Sequence, residues 1–126
     1  MVKVRTQVET LAGNSLNWVV GYVMEGGEYE LASRASQGDY SPSSDWSVGG
    51  PIIEQAQIQI TPTDEGLWRA GKEGVDFESF GATPLIAGLR FFIRHRHAGE
   101  VDIPWRLLDR GASVAINPAQ ALRPAA

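Results

Sequence analysis

Apolar positions along the chain change period several times, and each change marks an expected element. Val2 and Val4 alternate with Lys3 and Arg5, the two-residue period of a half-buried strand. From Leu16 the period lengthens. Leu16, Val19, Val20 and Val23 fall at i, i+3, i+4 and i+7, one stripe on a helical surface. Asn14 or Ser15 is placed to cap this helix and Gly26-Gly27 to stop it. Trp18 and Tyr22, four residues apart, lie beside the stripe and imply a second contact surface. Glu28 to Ser33 alternates again, with Tyr29 and Leu31 on one side, and predicts a short strand. Arg34 to Gly50 is rich in Ser, Gly, Asp and Pro and reads as a long loop. Pro51 is expected to open a short helical turn through Ala56, because the first helical position needs no N–H.

Ile58 and Ile60 alternate with Gln57 and Gln59 as a strand. Thr61 to Gly66 then supplies a turn, and Leu67 to Ala70 the returning strand of a hairpin. Gly71 to Gly81 is polar and reads as a loop. Thr83-Pro84 opens the clearest helix of the chain, a cap followed by proline at the first position. Leu85, Leu89 and Phe92, flanked by Ile86 and Ile93, form its apolar stripe. Arg94 to His97 crowd its last turn, where cations suit the negative end of the helix dipole. Gly99 ends it, and Val101 to Leu108 is expected to be a short extended segment and a turn. The pattern predicts an α+β fold, a small mainly antiparallel sheet with two principal helices packed on it. Residues 1–110 form the single domain, and 111–126 are expected to be a loosely held C-terminal tail.

Length agrees: 126 residues is the size of one domain. The 43% apolar and 21% charged fractions are those of an ordinary globular chain. A formal charge of −4 argues against nucleic acid as a partner, since phosphate binding draws on Lys and Arg. With no cysteine there is neither a disulfide framework nor a thiolate metal site. No segment has the length of a membrane span or the apolar core of a signal peptide, so the expected location is the cytoplasm.

The most distinctive stretch runs from Tyr40 to Glu54, Tyr-Ser-Pro-Ser-Ser-Asp-Trp-Ser-Val-Gly-Gly-Pro-Ile-Ile-Glu. It resembles the NinX family of small phage and prophage proteins. Leu11-Ala12-Gly13 with Leu16 to Val20 and Thr83 to Arg90 agree with the same family, as do Gly99-Glu100-Val101 and Ile103-Pro104. The resemblance covers residues 1–108, with Asn17 where an acidic residue is expected and Ser44 where Thr is usual. It implies a phage or prophage origin, a bacterial host cytoplasm and an accessory role. It carries no catalytic residue across.

Candidate chemistry centres on that stretch. Tyr40, Ser41, Ser43, Asp45 and Trp46, followed by Gly49 and Gly50, are expected to wall a small-ligand pocket with the indole as a stacking face. The competing reading has the hydroxyls and Asp45 satisfying their own backbone and Trp46 filling the core. His95 and His97 are two apart on a helix and cannot share a metal as an i, i+4 pair can. No cofactor, metal or catalytic set is expected, since the hydrolase, phosphate-binding, dinucleotide and zinc-protease motifs are all missing. Phe91 projects away from the helix stripe, so either a second layer of the same chain covers it or a subunit interface does, which makes a homo-oligomer one expectation. The leading functional expectation is a non-enzymatic module that binds a small molecule or a host protein. The alternatives are a small enzyme acting on a nucleotide-like or other anionic substrate through residues 40–54, and a structural or nucleic-acid-associated oligomer.

Overall fold

In the computed structural model, which describes residues 2–108, the elements run β1 (Lys3–Gln7), a helical turn at Val8–Thr10, α1 (Gly13–Met24), α2 (Glu30–Ser36), α3 (Trp46–Gln55), β2 (Gln59–Pro62), β3 (Trp68–Gly71), β4 (Ser79–Gly81), α4 (Pro84–Arg96), β5 (Glu100–Pro104) and a last turn at Trp105–Leu107. The fold is α+β. The expected tail, 111–126, lies outside the described residues. The strands form two antiparallel sheets. β1 pairs with β5, from Lys3 opposite Pro104 to Gln7 opposite Glu100. The other sheet has the order β2-β3-β4, with Ile60 opposite Ala70 and Ala70 opposite Ser79.

α4 is the axis of the molecule. Thr83 Oγ1 accepts the Ile86 amide at 3.1 Å and Pro84 follows it, as the sequence predicts. Its burial extends well beyond the expected stripe. Leu85, Leu89, Phe92 and Ile93 face the main core of α1, α3 and β5, while Ala87 and Phe91 face the three-stranded sheet. Phe91 has no exposed surface and lies against Phe77, ring centroids 5.1 Å apart, beneath the sheet. Its cover is therefore a second layer of the same chain. Full burial of such a ring contributes about 1.5–3 kcal/mol.

α1 buries Leu16, Val19, Val20 and Val23 as expected. Its N-cap is Ala12 rather than Asn14 or Ser15. Ser15 closes the cap from within the first turn, donating to the Ala12 carbonyl at 2.7 Å and accepting the Ala12 amide at 3.3 Å. Gly26 and Gly27 end the helix with positive φ of 65° and 103°. The second surface of α1 is met by Tyr29 and Lys3. Trp18 and Tyr22 stack in parallel at 5.5 Å, and Lys3 donates to the Tyr29 hydroxyl at 2.8 Å with its ammonium over that ring.

The loop expected from Gly71 to Gly81 ends in a strand, since Ser79–Gly81 forms β4 against β3. Three further expectations fail locally. Glu28 to Ser33 is not a strand, because Glu30 to Ser36 forms α2, which buries Ala32 and Ala35 against α1. The alternation of Tyr29 and Leu31 spans too few residues to separate the two periods, and the small alanines win by letting the helices touch. At the crossing, a Cβ on Gly21 would lie 2.8 Å from the Leu31 Cβ. Secondly, the loop expected from Arg34 to Gly50 is confined between α2 and α3. Thirdly, Pro51 sits inside α3 rather than at its start. Asp45 caps α3 five residues earlier than expected, and burial of Ile52 and Ile53 outweighs the poor helix propensity of its glycines.

Candidate functional site

The segment from Tyr40 to Glu54 is a tightly tied turn followed by α3. Ser43, 8% exposed, donates its amide to the buried Asn17 Oδ1 on α1 at 2.8 Å. The Ser41 carbonyl accepts the amides of Ser44 and Asp45, closing the turn. Asp45 Oδ1 accepts both the Ser47 amide at 3.0 Å and the Ser47 hydroxyl at 2.7 Å, which fixes the start of α3. Gly49 is required by packing, since a Cβ there would overlap the Pro42 carbonyl oxygen and meet Leu85 Cδ2 at 2.9 Å. At Gly50 the added atom would meet the Trp46 ring at 3.2 Å, so the indole lies along its own helix. That indole is 56% exposed.

These groups therefore divide between two faces. Ser41, Ser43 and Asp45 bind their own backbone and α1, Gly49 and Gly50 make close packing contacts, and Trp46 faces outward. One cleft lies on the opposite side of α3, and of the expected pocket residues Tyr40 alone borders it. Ser47, Pro51 and Gln55, at i, i+4 and i+8, form one wall with Val48, Ile52 and Ala56. Met24 from the end of α1 and Phe92 and Arg96 from α4 complete it with Tyr40. Its volume is about 590 Å³, within the roughly 300–1,000 Å³ usual for small-molecule sites.

The cleft has an apolar floor and a polar rim. Burial, and after it the nearby Glu25 carboxylate, push the Tyr40 phenol above its ordinary value. Glu25 is itself engaged, its Oε1 accepting the Leu31 amide at 2.7 Å. The Arg96 guanidinium lies over the Phe92 ring, 4.9 Å from its centroid. Among the described residues no carboxylate pairs with Arg96, and no other charged side chain borders the cleft. Pro51 has no N–H, so the Ser47 carbonyl one turn earlier lacks its usual helical donor.

The other basic groups of α4 are committed elsewhere. Arg90 donates to the Leu11 carbonyl at 2.9 Å and the Phe80 carbonyl at 2.6 Å, tying α4 to both ends of the adjoining chain. Burial lowers its pKa, opposed by the Glu9 charge. Arg94 donates to the Glu78 carbonyl at 2.6 Å and the Ser79 hydroxyl at 2.9 Å, and its guanidinium lies 3.7 Å from Glu9. His95 stacks on Phe91 and His97 meets Tyr22 edge-on, so the two imidazoles point to different neighbours.

Sequence reasoning missed most of the cleft because it placed Pro51 at the start of a turn. With a helix starting at Trp46, the spacing of Ser47, Pro51 and Gln55 becomes a face. Arg96, four residues after Phe92, is a recoverable signal of the same kind.

The fold and this segment define a small α+β domain with a one-sided cleft between two helices. A family model described as Bacteriophage P22, NinX matches residues 7–96. The chain belongs to that family. The match spans α1 through α4 and so includes every residue that borders the cleft. Comparison with curated proteins gave no match. Among the described residues no helix is long and apolar enough to cross a membrane.

Proposed function

We propose that this protein is a phage accessory protein that acts by binding a small molecule in the cleft between Tyr40, α3 and the end of α4. The observation that carries the reading is the cleft itself, apolar at its floor and edged by a phenol, a hydroxyl, an amide and a guanidinium that has no carboxylate partner among the described residues. Family membership supports the phage context. Enzymatic action on an anionic substrate through residues 40–54 has less support, because Asp45 is occupied in capping α3. A host-protein partner is the second reading, favoured by the exposed indole of Trp46.

A thermal-shift screen against a broad metabolite and nucleotide set tests the proposal. At about 100 times its Kd, a true ligand stabilises the fold by about 2.7 kcal/mol. Gln55→Trp fills the cleft from an exposed wall position and abolishes that shift, whereas Trp46→Ala, on the opposite face, preserves it. A shift that survives Gln55→Trp, or no shift with any compound, contradicts a ligand site here.

A further inference from the structure

Arg96 stands apart from its neighbours on α4. Arg90 and Arg94 are consumed by backbone carbonyls and by Ser79. Arg96 makes no side-chain hydrogen bond or ion pair with the described residues, yet its guanidinium is held against the Phe92 ring at the cleft. A guanidinium laid on an aromatic face keeps its in-plane N–H donors free to bind an oxyanion side by side. The face not turned to Phe92 remains able to stack on a second planar group.

The remaining walls narrow the chemistry. Tyr40, protonated at physiological pH like any phenol, adds an O–H donor at the cleft. Met24, Val48, Ile52 and Ala56 offer apolar contact with few polar demands, and a methionine thioether packs well on aromatic rings. A fully hydrated inorganic anion gains nothing from that floor, and an uncharged hydrocarbon makes no use of the guanidinium's donors.

We infer that the cleft selects a planar aromatic ring carrying one oxyanion group, with Arg96 binding the anion and the apolar floor binding the ring. The inference rests on the cleft being the binding site and adds the class of ligand. A carboxylate and a phosphate monoester share this chemistry.

Isothermal titration of the full chain with three indoles separates the features: indole-3-acetate, its neutral amide and the cationic tryptamine. Thymidine 5′-monophosphate against thymidine forms the phosphate arm. The anion of at least one pair is expected to bind more tightly than its neutral counterpart by on the order of tenfold, the scale of a charge-assisted hydrogen bond. The arm with the larger ratio identifies the oxyanion. Tryptamine binds weakest. Arg96→Gln removes the preference while leaving residual binding of the neutral ring, and Arg96→Lys restores part of it. Arg96 is exposed, so both variants are expected to fold, which circular dichroism verifies. Equal binding of anion and amide in both pairs, or a preference that survives Arg96→Gln, overturns the inference while leaving the cleft as a binding site. No binding of any probe, neutral or charged, overturns the inference, and the broad thermal-shift screen then decides the proposed function separately.

Discussion

Replacing Asn17 with alanine takes away the acceptor of the Ser43 amide. Asn17 is 2% exposed and Ser43 8%, so water has little access to replace the 2.8 Å bond. An orphaned buried amide costs about 1–3 kcal/mol. The space left by the carboxamide adds a cavity cost, giving a total of about 2–3 kcal/mol. For a chain of this size that loss lowers Tm by roughly 8–13 °C. Urea unfolding followed by Trp fluorescence gives the free energy, and an unchanged m value confirms that the native state has not become generally looser. Asn17→Leu separates the two costs, since it refills the space and leaves the amide unpaired. Native-state hydrogen exchange reads the same bond locally, with the Ser43 amide exchanging faster in both variants. An Asn17→Ala protein within 0.5 kcal/mol of wild type would refute the claim that this bond anchors the turn leading into α3.

Gly49→Ala is expected to destabilise by about 2 kcal/mol or more, because the new atom overlaps the Pro42 carbonyl and this outweighs the ~1 kcal/mol gain in helix propensity; urea unfolding measures it, and equal stability would mean that the turn yields freely. Phe91→Ala should cost about 3–5 kcal/mol, while light scattering on the folded wild type should show no association dependent on this ring, which has no exposed surface. The Tyr40 phenol has its pKa raised from 10.0 by burial and by Glu25. Its neutral form therefore contributes stability that is complete below pH 10 and lost as pH rises through the higher folded value. Tyr40→Phe should flatten that alkaline limb in pH-dependent unfolding; an unchanged limb would place the phenol in solvent.

The helices with long, clean periods were legible in the sequence. Leu16 to Val23 and the Thr83-Pro84 start of α4 carry periodicity and chain-end chemistry together. The hairpin of β2 and β3 was equally readable, because Ile58 and Ile60 alternate and Gly66 offers the turn. What failed depends on contacts distant along the chain. α2 exists because Gly21 lets Leu31 and Ala32 approach α1, a pairing that local alternation does not encode. α3 contains two glycines and a proline and is stabilised by its Asp45 cap and the burial of Ile52 and Ile53. Its lost start displaced the expected site. Serines and glycines near an indole suggested convergence, but Ser43 turns toward α1 and Gly49 toward Pro42. Tyr40 was identified for its polarity, whereas its position at the cleft follows from the packing of α3 against α4. The reach of Phe91 was left open by spacing alone; the sheet that covers it comes from residues up to thirty-odd positions earlier, Ile58 and Ile60 included.

Amide-resolved NMR during a titration with indole-3-acetate places the binding surface without assuming which side of α3 is used. Shift changes concentrated on Ser47, Val48, Gln55, Ala56 and Arg96, with the Tyr40 ring following, are the outcome that the cleft demands. Changes centred on Trp46 and Gly50, with those residues silent, would mean that the molecule is recognised through its other face.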